Sequence, residues 1–213
     1  MADLPASAVS SSFPDRPGGA GACALTFDDG PDPIWTPLVL DCLQRHSARA
    51  TFFVIAERAQ RHAGLVVRMR EEGHDVELHC ASHIRHSDMS EVAVSRDAEE
   101  GLRTLRRLRV QAARWRTPWG VVTPATRRVA ARLGLAIVGW NLDSHDWRGD
   151  SAIDMHASIV DGLCSNAVVL MHDGLGPGAR RAGCENTVQL IPRLLATMRA
   201  NSLRALPVSE IEA

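Results

Sequence analysis

An α/β protein with parallel strands is the fold class this chain predicts, on three observations. Between Cys23 and the C-terminus, short aliphatic or β-branched runs alternate with amphipathic stretches of helical length, the pattern of strands joined by crossover helices. The chain has 213 residues, enough for one sizeable core, so a single domain over 23–213 is expected. Ionisable residues cluster just after the strand candidates, at the edge where such folds keep their chemistry. Spacing alone leaves a closed barrel and an open sheet both available.

The first strand, Cys23-Ala24-Leu25, runs into Thr26-Phe27-Asp28-Asp29-Gly30-Pro31. Neighbouring strand residues point to opposite faces, so two adjacent carboxylates can share a site only if a turn starts between them. One acid could then hold a metal while the other stays free as a base. Asp, Gly and Pro are also ordinary turn residues, and these six positions alone are equally well explained that way. Thr36 to Arg45 carries Leu38, Val39, Leu40 and Leu43 at helical spacing, and Ala50 to Ile55 is a buried-strand pattern. Glu57 to Glu72 predicts one amphipathic helix stopped by Gly73, and Asp75 to Leu78 a short strand running into His79. Helices are predicted over Val92–Leu108, Pro124–Leu133, Ile153–Leu163 and Thr187–Met198. Strands are predicted over Ala112–Arg116, Ala136–Leu142 and Ala167–Met171, with a weak one at Leu203–Val208.

Composition excludes several function classes. A net charge of -1 and a pI near 6.7 give no basic surface for nucleic acid or membrane. All the positive charge is arginine, and tyrosine is absent. No stretch reaches the roughly 18 apolar residues of a membrane span. The five cysteines, Cys23, Cys42, Cys80, Cys164 and Cys184, are odd in number and unpaired in spacing, which implies no disulfide framework and favours a reducing compartment. Residues 1–22, rich in Ala, Ser, Pro and Gly, lack the basic and apolar regions of a secretory signal. They are expected to form a flexible leader on a cytoplasmic protein.

Four further clusters follow strand candidates. His79 and His83 stand four apart, so one helical turn would face both imidazoles the same way; with one carboxylate they would make a three-ligand metal site with open positions. His86 competes for that role, and Cys80 is a second alternative ligand, though buried thiols are mostly inert. The others are Arg116-Thr117-Pro118-Trp119-Gly120, Asp143-Ser144-His145-Asp146-Trp147 and His172-Asp173-Gly174. Each has an ordinary structural explanation by itself; five on successive strand ends do not. His46, His62, His74, His145 and His156 read as surface or packing residues.

Taken in order, these motifs resemble the polysaccharide deacetylases of carbohydrate esterase family 4, the nodulation-type chitooligosaccharide deacetylase domain. The resemblance runs from Cys23 onward and rests on Thr-Phe-Asp-Asp-Gly-Pro at 26–31, Ala-Thr-Phe-Phe at 50–53, His-x-x-x-His at 79–83, Arg-x-Pro-aromatic-Gly at 116–120, Asp-x-x-Asp-Trp at 143–147 and Leu-x-His-Asp at 170–173. It implies a distorted (β/α) barrel and removal of N-acetyl groups from N-acetylglucosamine-type carbohydrate. Asp29, His79 and His83 would hold a divalent metal, usually Zn2+, with Co2+, Ni2+ or Mn2+ as substitutes. Asp28 would be the general base paired with Arg116, and His172 the general acid, tuned by Asp143 or Asp146. Trp119 would lend a backbone N–H to the oxyanion, and Trp147 and Leu170 would enclose the acetyl methyl. Cys80 and Ile84 depart from the family's usual Ser or Thr and Pro, and Trp119 stands where Tyr is commoner.

Two other classes share parts of this pattern. A non-haem iron oxygenase also uses two His and a carboxylate, but has no need of Asp28, Arg116 and His172 around the metal. A non-catalytic carbohydrate-binding module could keep the fold without the chemistry. Within hydrolases, the alternatives are a deacylase of a small N-acylated intermediate in the cytoplasm and an O-acetyl esterase of the xylan type.

Overall fold

The computed structural model describes residues 21–211. The leader expected over 1–22 lies outside them except for Gly21 and Ala22, and Ala22 opens the first strand. That strand, β1 (Ala22–Asp28), is buried along all but its first residue, as its apolar run requires. It sits between β2 (Thr51–Ile55) and β7 (Val168–His172), both parallel to it. Outward from β2 come β3 (Asp75–Cys80), β4 (Arg114–Trp115) and β5 (Ala136–Ile137); outward from β7 comes β6 (Leu142–Asp143). A short β8 (Arg204–Ala205) pairs with the start of β1. Every pairing is parallel, and the sheet curls into a distorted (β/α) barrel.

The helices follow the expected alternation: α1 (Trp35–Arg45), α2 (Ala56–Arg61), α3 (Ala63–Glu71), α4 (Glu91–Arg107), α5 (Pro124–Leu133), α6 (Ala152–Ile159), α7 (Glu185–Ala200) and α8 (Val208–Ile211). Their apolar faces pack on the sheet around Leu25, Phe27, Phe52, Leu78 and Trp115, with the Phe27 and Phe52 rings stacked at 5.1 Å. The start of α5 is set by Pro124 in its first turn and by reciprocal Thr123–Thr126 capping, and its end by Gly134 at φ 68°.

The structure corrects four expectations. The single helix over 57–72 is two, broken at His62, whose φ of -120° and ψ of 46° cannot continue a helix. The strand over 112–116 shrinks to Arg114–Trp115, because Glu77 of β3 accepts the Ala113 and Arg114 amides and occupies part of the ladder's edge. The strand over 136–142 divides into β5 and β6, which lie at opposite ends of the sheet order. Between them the chain hands over from one end to the other: the Val138 amide donates to the Trp115 carbonyl and the Asn141 amide to the Val168 carbonyl. The strand expected over 203–208 is confined to β8, and Val208 begins α8.

Candidate active site

Asp28 is the last residue of β1, and Asp29 turns the chain with φ 71°. That left-handed conformation rotates the second carboxylate out of strand alternation, so both acids are buried in one site. The turn is packed too tightly for side chains on its neighbours. A Cβ on Gly30 would lie 2.2 Å from Asp173 Oδ2, and one on Gly176 2.0 Å from Asp29 Oδ2. Arg58 of α2 fastens the turn by donating to the Asp29 carbonyl at 2.8 Å and the Leu175 carbonyl at 2.9 Å.

Asp29 faces His79 and His83, whose Nε2 atoms lie 3.4 and 3.1 Å from its Oδ1. The two imidazoles do not share a helical turn. His79 belongs to β3, and His83 returns to it from a bend and loop over 81–85, bringing the ring centroids to 5.1 Å. Asp97 of α4 shapes this return by accepting the Ala81 and Ser82 amides. His79 donates its Nδ1–H to the Arg116 carbonyl at 2.7 Å, which leaves the Nε2 lone pair pointing at Asp29 in the neutral ring.

Lone pairs facing a buried carboxylate oxygen repel unless a positive charge lies between them. Asp29 Oδ1 is buried and has no hydrogen-bond partner among the described residues. Burial works against the charged forms of Asp29 and His79, yet the imidazoles hold the Asp29 carboxyl well below its ordinary value, and Asp28 and Asp29 raise the His79 pKa. Both shifts express one requirement for positive charge at this point. Ligand atoms of Asp29, His79 and His83 lie within 4.8 Å of one another, and the mixed oxygen–nitrogen set fits a divalent cation. Cys80 and His86 are not in the cluster. Burial drives the Cys80 thiol well above its usual pKa, and His86 is buried beside Trp115, bonded to Thr126 Oγ1, with burial lowering its pKa to about 4.

Asp28 faces a different partner. Arg116, fully buried, donates from Nη1 to Asp28 Oδ1 at 3.0 Å and to Thr26 Oγ1 at 2.6 Å, and from Nη2 to the Gly139 carbonyl at 2.8 Å. Its guanidinium is 4.2 Å from the Phe53 ring centroid. These contacts fix one oxygen of Asp28 and leave the other available.

His172 sits opposite Asp28 in the β1–β7 register. It donates Nδ1–H to Asp146 Oδ1 at 2.7 Å, and its amide donates to Oδ2 at 2.9 Å. Asp146 is buried, but the His172 charge and hydrogen bond, with Arg181 and Thr187, draw its pKa down to about 2. Burial likewise opposes the imidazolium, and Asp146 outweighs it, raising His172 to about 9. Asp143 does not reach His172: it accepts the His145 amide, and burial raises its pKa. Of the two acids, Asp146 is therefore placed to tune the imidazole.

Trp119 has φ 54° and ψ 17°, a strained conformation for a bulky residue, and its amide meets no acceptor among the described residues. Its indole packs edge-on against His83 at 4.2 Å. Trp147 follows Asp146 and is half-buried, and Leu170 is buried in β7 opposite Asp143 of β6.

Residues 15–138 match the family model described as "Polysaccharide deacetylase", more than half of the chain. The chain belongs to the polysaccharide deacetylase family. Relatives within the polysaccharide deacetylases include a peptidoglycan-N-acetylglucosamine deacetylase of Bacillus cereus, 33% identical over 190 residues that cover 88% of this chain and 86% of the relative. A chitooligosaccharide deacetylase of a Bradyrhizobium species is 32% identical over 200 residues, 91% of each chain. Among solved structures, a family 4 carbohydrate esterase from Streptomyces lividans in complex with acetate superposes with a TM-score of 0.79 at 28% identity, over 87% of this chain and 91% of that one. A peptidoglycan N-acetylglucosamine deacetylase in complex with a naphthalenyl N-oxidanyl-benzamide gives 0.85 at 27%, over 93% and 91%.

The structure adds Arg181 and Thr187 to the site, residues that sequence reasoning did not single out. Arg181 donates to Asp146 Oδ2 at 2.9 Å, to Thr187 Oγ1 at 2.5 Å and to the His172 carbonyl at 3.1 Å. Thr187 donates to the same Oδ2 at 2.7 Å. Asp173, next to His172, is buried and accepts from Thr36 at 2.5 Å; burial raises its pKa to about 7. Arg181 lies in a loop without helical or strand periodicity, so its one sequence signal is proximity to the His-Asp motif.

Proposed function

We propose that this chain is a metal-dependent hydrolase that removes N-acetyl groups from N-acetylglucosamine-type carbohydrate. The observation that carries this reading is that Asp28, paired with Arg116, and His172, paired with Asp146, end adjacent strands beside the Asp29, His79 and His83 cluster. Amide hydrolysis needs a base to make the nucleophile and an acid to protonate a poor leaving amine. Asp28, with Oδ1 tied to Arg116, takes the proton of the attacking water on its free oxygen. His172, kept cationic at neutral pH by Asp146, gives its Nε2 proton to the departing nitrogen. A divalent cation, zinc in this reading, held by Asp29, His79 and His83 would polarise the carbonyl and acidify water. Trp119 offers its N–H to the negative oxygen that develops, and Trp147 and Leu170 exclude water around the acetyl methyl. The printed names of relatives about a third identical over most of their length support the same substrate class.

The test is acetate release from N-acetyl chitooligomers, peptidoglycan fragments and O-acetylated xylan fragments, with oxygen consumption followed in parallel. Amide substrates should be hydrolysed without oxygen uptake. A higher kcat/KM on O-acetylated xylan would overturn the amide assignment, because imidazole protonation matters less for an alcohol leaving group than for an amine. Oxygen-dependent turnover would point to the iron oxygenase class instead.

A further inference from the structure

Two tryptophans border the site, Trp119 against His83 and Trp147 next to Asp146, and each carries arginine. Arg85 stacks over Trp119 at 4.4 Å, and Trp119 itself packs on His83. Arg148 and Arg180 stand over Trp147 at 5.1 and 5.5 Å, and Trp147 directly follows Asp146, the partner of His172. One loop joins the two stacks. A Cβ on Gly178 would lie 4.0 Å from Trp119 Nε1, and the Arg180 amide donates to the Trp147 carbonyl at 2.8 Å.

All three arginines are exposed, and among the described residues none of their guanidinium groups has an acidic partner. Other arginines are paired with acids, among them Arg116 with Asp28, Arg181 with Asp146, Arg49 with Glu210 and Arg68 with Asp41. Stacking on an indole occupies the face of a guanidinium and leaves its edge donors directed outward. A chain with a net charge of only -1 thus gathers three unneutralised cations around the mouth of one site. The buried acids beneath do not neutralise them, because Asp28 and Asp146 are each satisfied by their own cationic partner and Asp29 faces the two imidazoles.

Resting on the deacetylase reading, we propose that the sugar this site accepts carries an anionic group, a carboxylate or a phosphate, close to its acylated nitrogen, and that Arg85, Arg148 and Arg180 bind that group. Planar guanidinium donors match both anions in bidentate fashion, whereas a neutral oligosaccharide gives them nothing to bond. Preference for the charged sugar then arises at the rim, without a change in the chemistry at Asp28 and His172.

The experiment has a turnover arm and a binding arm on the metal-loaded full chain. Turnover compares kcat/KM within neutral and anionic pairs: N,N'-diacetylchitobiose against N-acetylglucosamine linked to a lactyl-bearing N-acetyl sugar, and N-acetylglucosamine against its 1-phosphate. Binding of glucose, glucuronate and glucose 1-phosphate, which have no amide to cleave, is read by tryptophan fluorescence. The anionic member should lead by on the order of tenfold at low salt, the scale expected when exposed guanidinium–anion pairs each contribute modestly. The lead should shrink as salt rises from roughly 0.01 to 1 M and the screening length falls from about 30 to about 3 Å. It should be lost in Arg148→Gln/Arg180→Gln and reduced in Arg85→Gln; the pair with the larger lead identifies carboxylate or phosphate as the source. Equal treatment of neutral and anionic sugars would overturn the proposal, as would an anion preference that survives all three substitutions, which would place the anion on the metal. Arginine-dependent anion binding with no acetate released from any amide would sink the deacetylase reading and leave the anion site standing.

Discussion

Asp28 and Asp29 are adjacent in sequence and face different partners, one beside a guanidinium and the other between two imidazole nitrogens. The same division recurs at His172 and Asp173. His172 is held cationic by Asp146, so as a general acid it is active below its pKa of about 9 and fails as pH rises through it. Asp146→Asn removes that support and lets burial dominate, so the alkaline limb of the kcat/KM profile should move to lower pH; Arg181→Gln should move it by less and the opposite way, because it removes a cation beside the imidazolium while Asp146, at about 2, stays ionised. A limb unmoved in Asp146→Asn would mean another group is the acid. Asp173 has the reverse sign. Its folded pKa, about 7, exceeds the ordinary 3.8, so the folded state keeps a proton that the unfolded chain releases, and stability falls as pH rises between those values. In the metal-free protein, Asp173→Asn should therefore improve thermal stability relative to wild type at pH 8 more than at pH 5, by at most about 3 kcal/mol. An equal effect at both pH values would contradict burial as the cause. The acids and histidines at strand ends were legible in the sequence because their spacing is short. Arg181 and Thr187 were not, because their link to Asp146 spans residues that only the folded loop brings together.

At the scale of elements, the site depends on two glycines that admit the Asp29 turn against the loop after β7. Gly176→Ala would place a methyl 2.0 Å from Asp29 Oδ2, and Gly30→Ala one 2.2 Å from Asp173 Oδ2. Both should lower bound metal and acetate release several-fold or more, by displacing a ligand rather than removing it. Gly64→Ala, in α3 with nothing within 4 Å of the added methyl, should be neutral or stabilising by about 0.5–1 kcal/mol. Metal content and melting temperature of the three variants check this; full metal retention in Gly176→Ala would show that the turn has slack. The long helices were readable from their periodicity. The break at His62 was not, because no Gly or Pro marks it; the nearest glycine, Gly64, lies inside α3. The His79 and His83 pairing was foreseen with the wrong local structure: a strand followed by a bend, shaped by Asp97, does what a helical turn was expected to do.

For the whole molecule, alternation of strands and helices predicted parallel pairing, and the structure has it throughout. How the sheet ends was not legible. Residues 136–142 read as one strand, yet they serve both ends of the sheet order, with 138–141 bonding to β4 on one side and β7 on the other. A pattern of period two cannot reveal that its two halves pair with different neighbours. What the fold achieves is to deliver Asp28 and His172 at paired register positions, with Asp29, His79 and His83 gathered beside them. The account's central claim is that the two adjacent acids divide the work, Asp29 holding the metal and Asp28 moving the proton. Measuring metal per chain together with acetate release in Asp28→Asn and Asp29→Ala tests it directly. We expect Asp28→Asn to keep its metal and lose about 10² to 10⁴ in kcat, and Asp29→Ala to lose both; an Asp28→Asn protein that binds no metal, or an Asp29→Ala protein that binds it normally, would contradict the account.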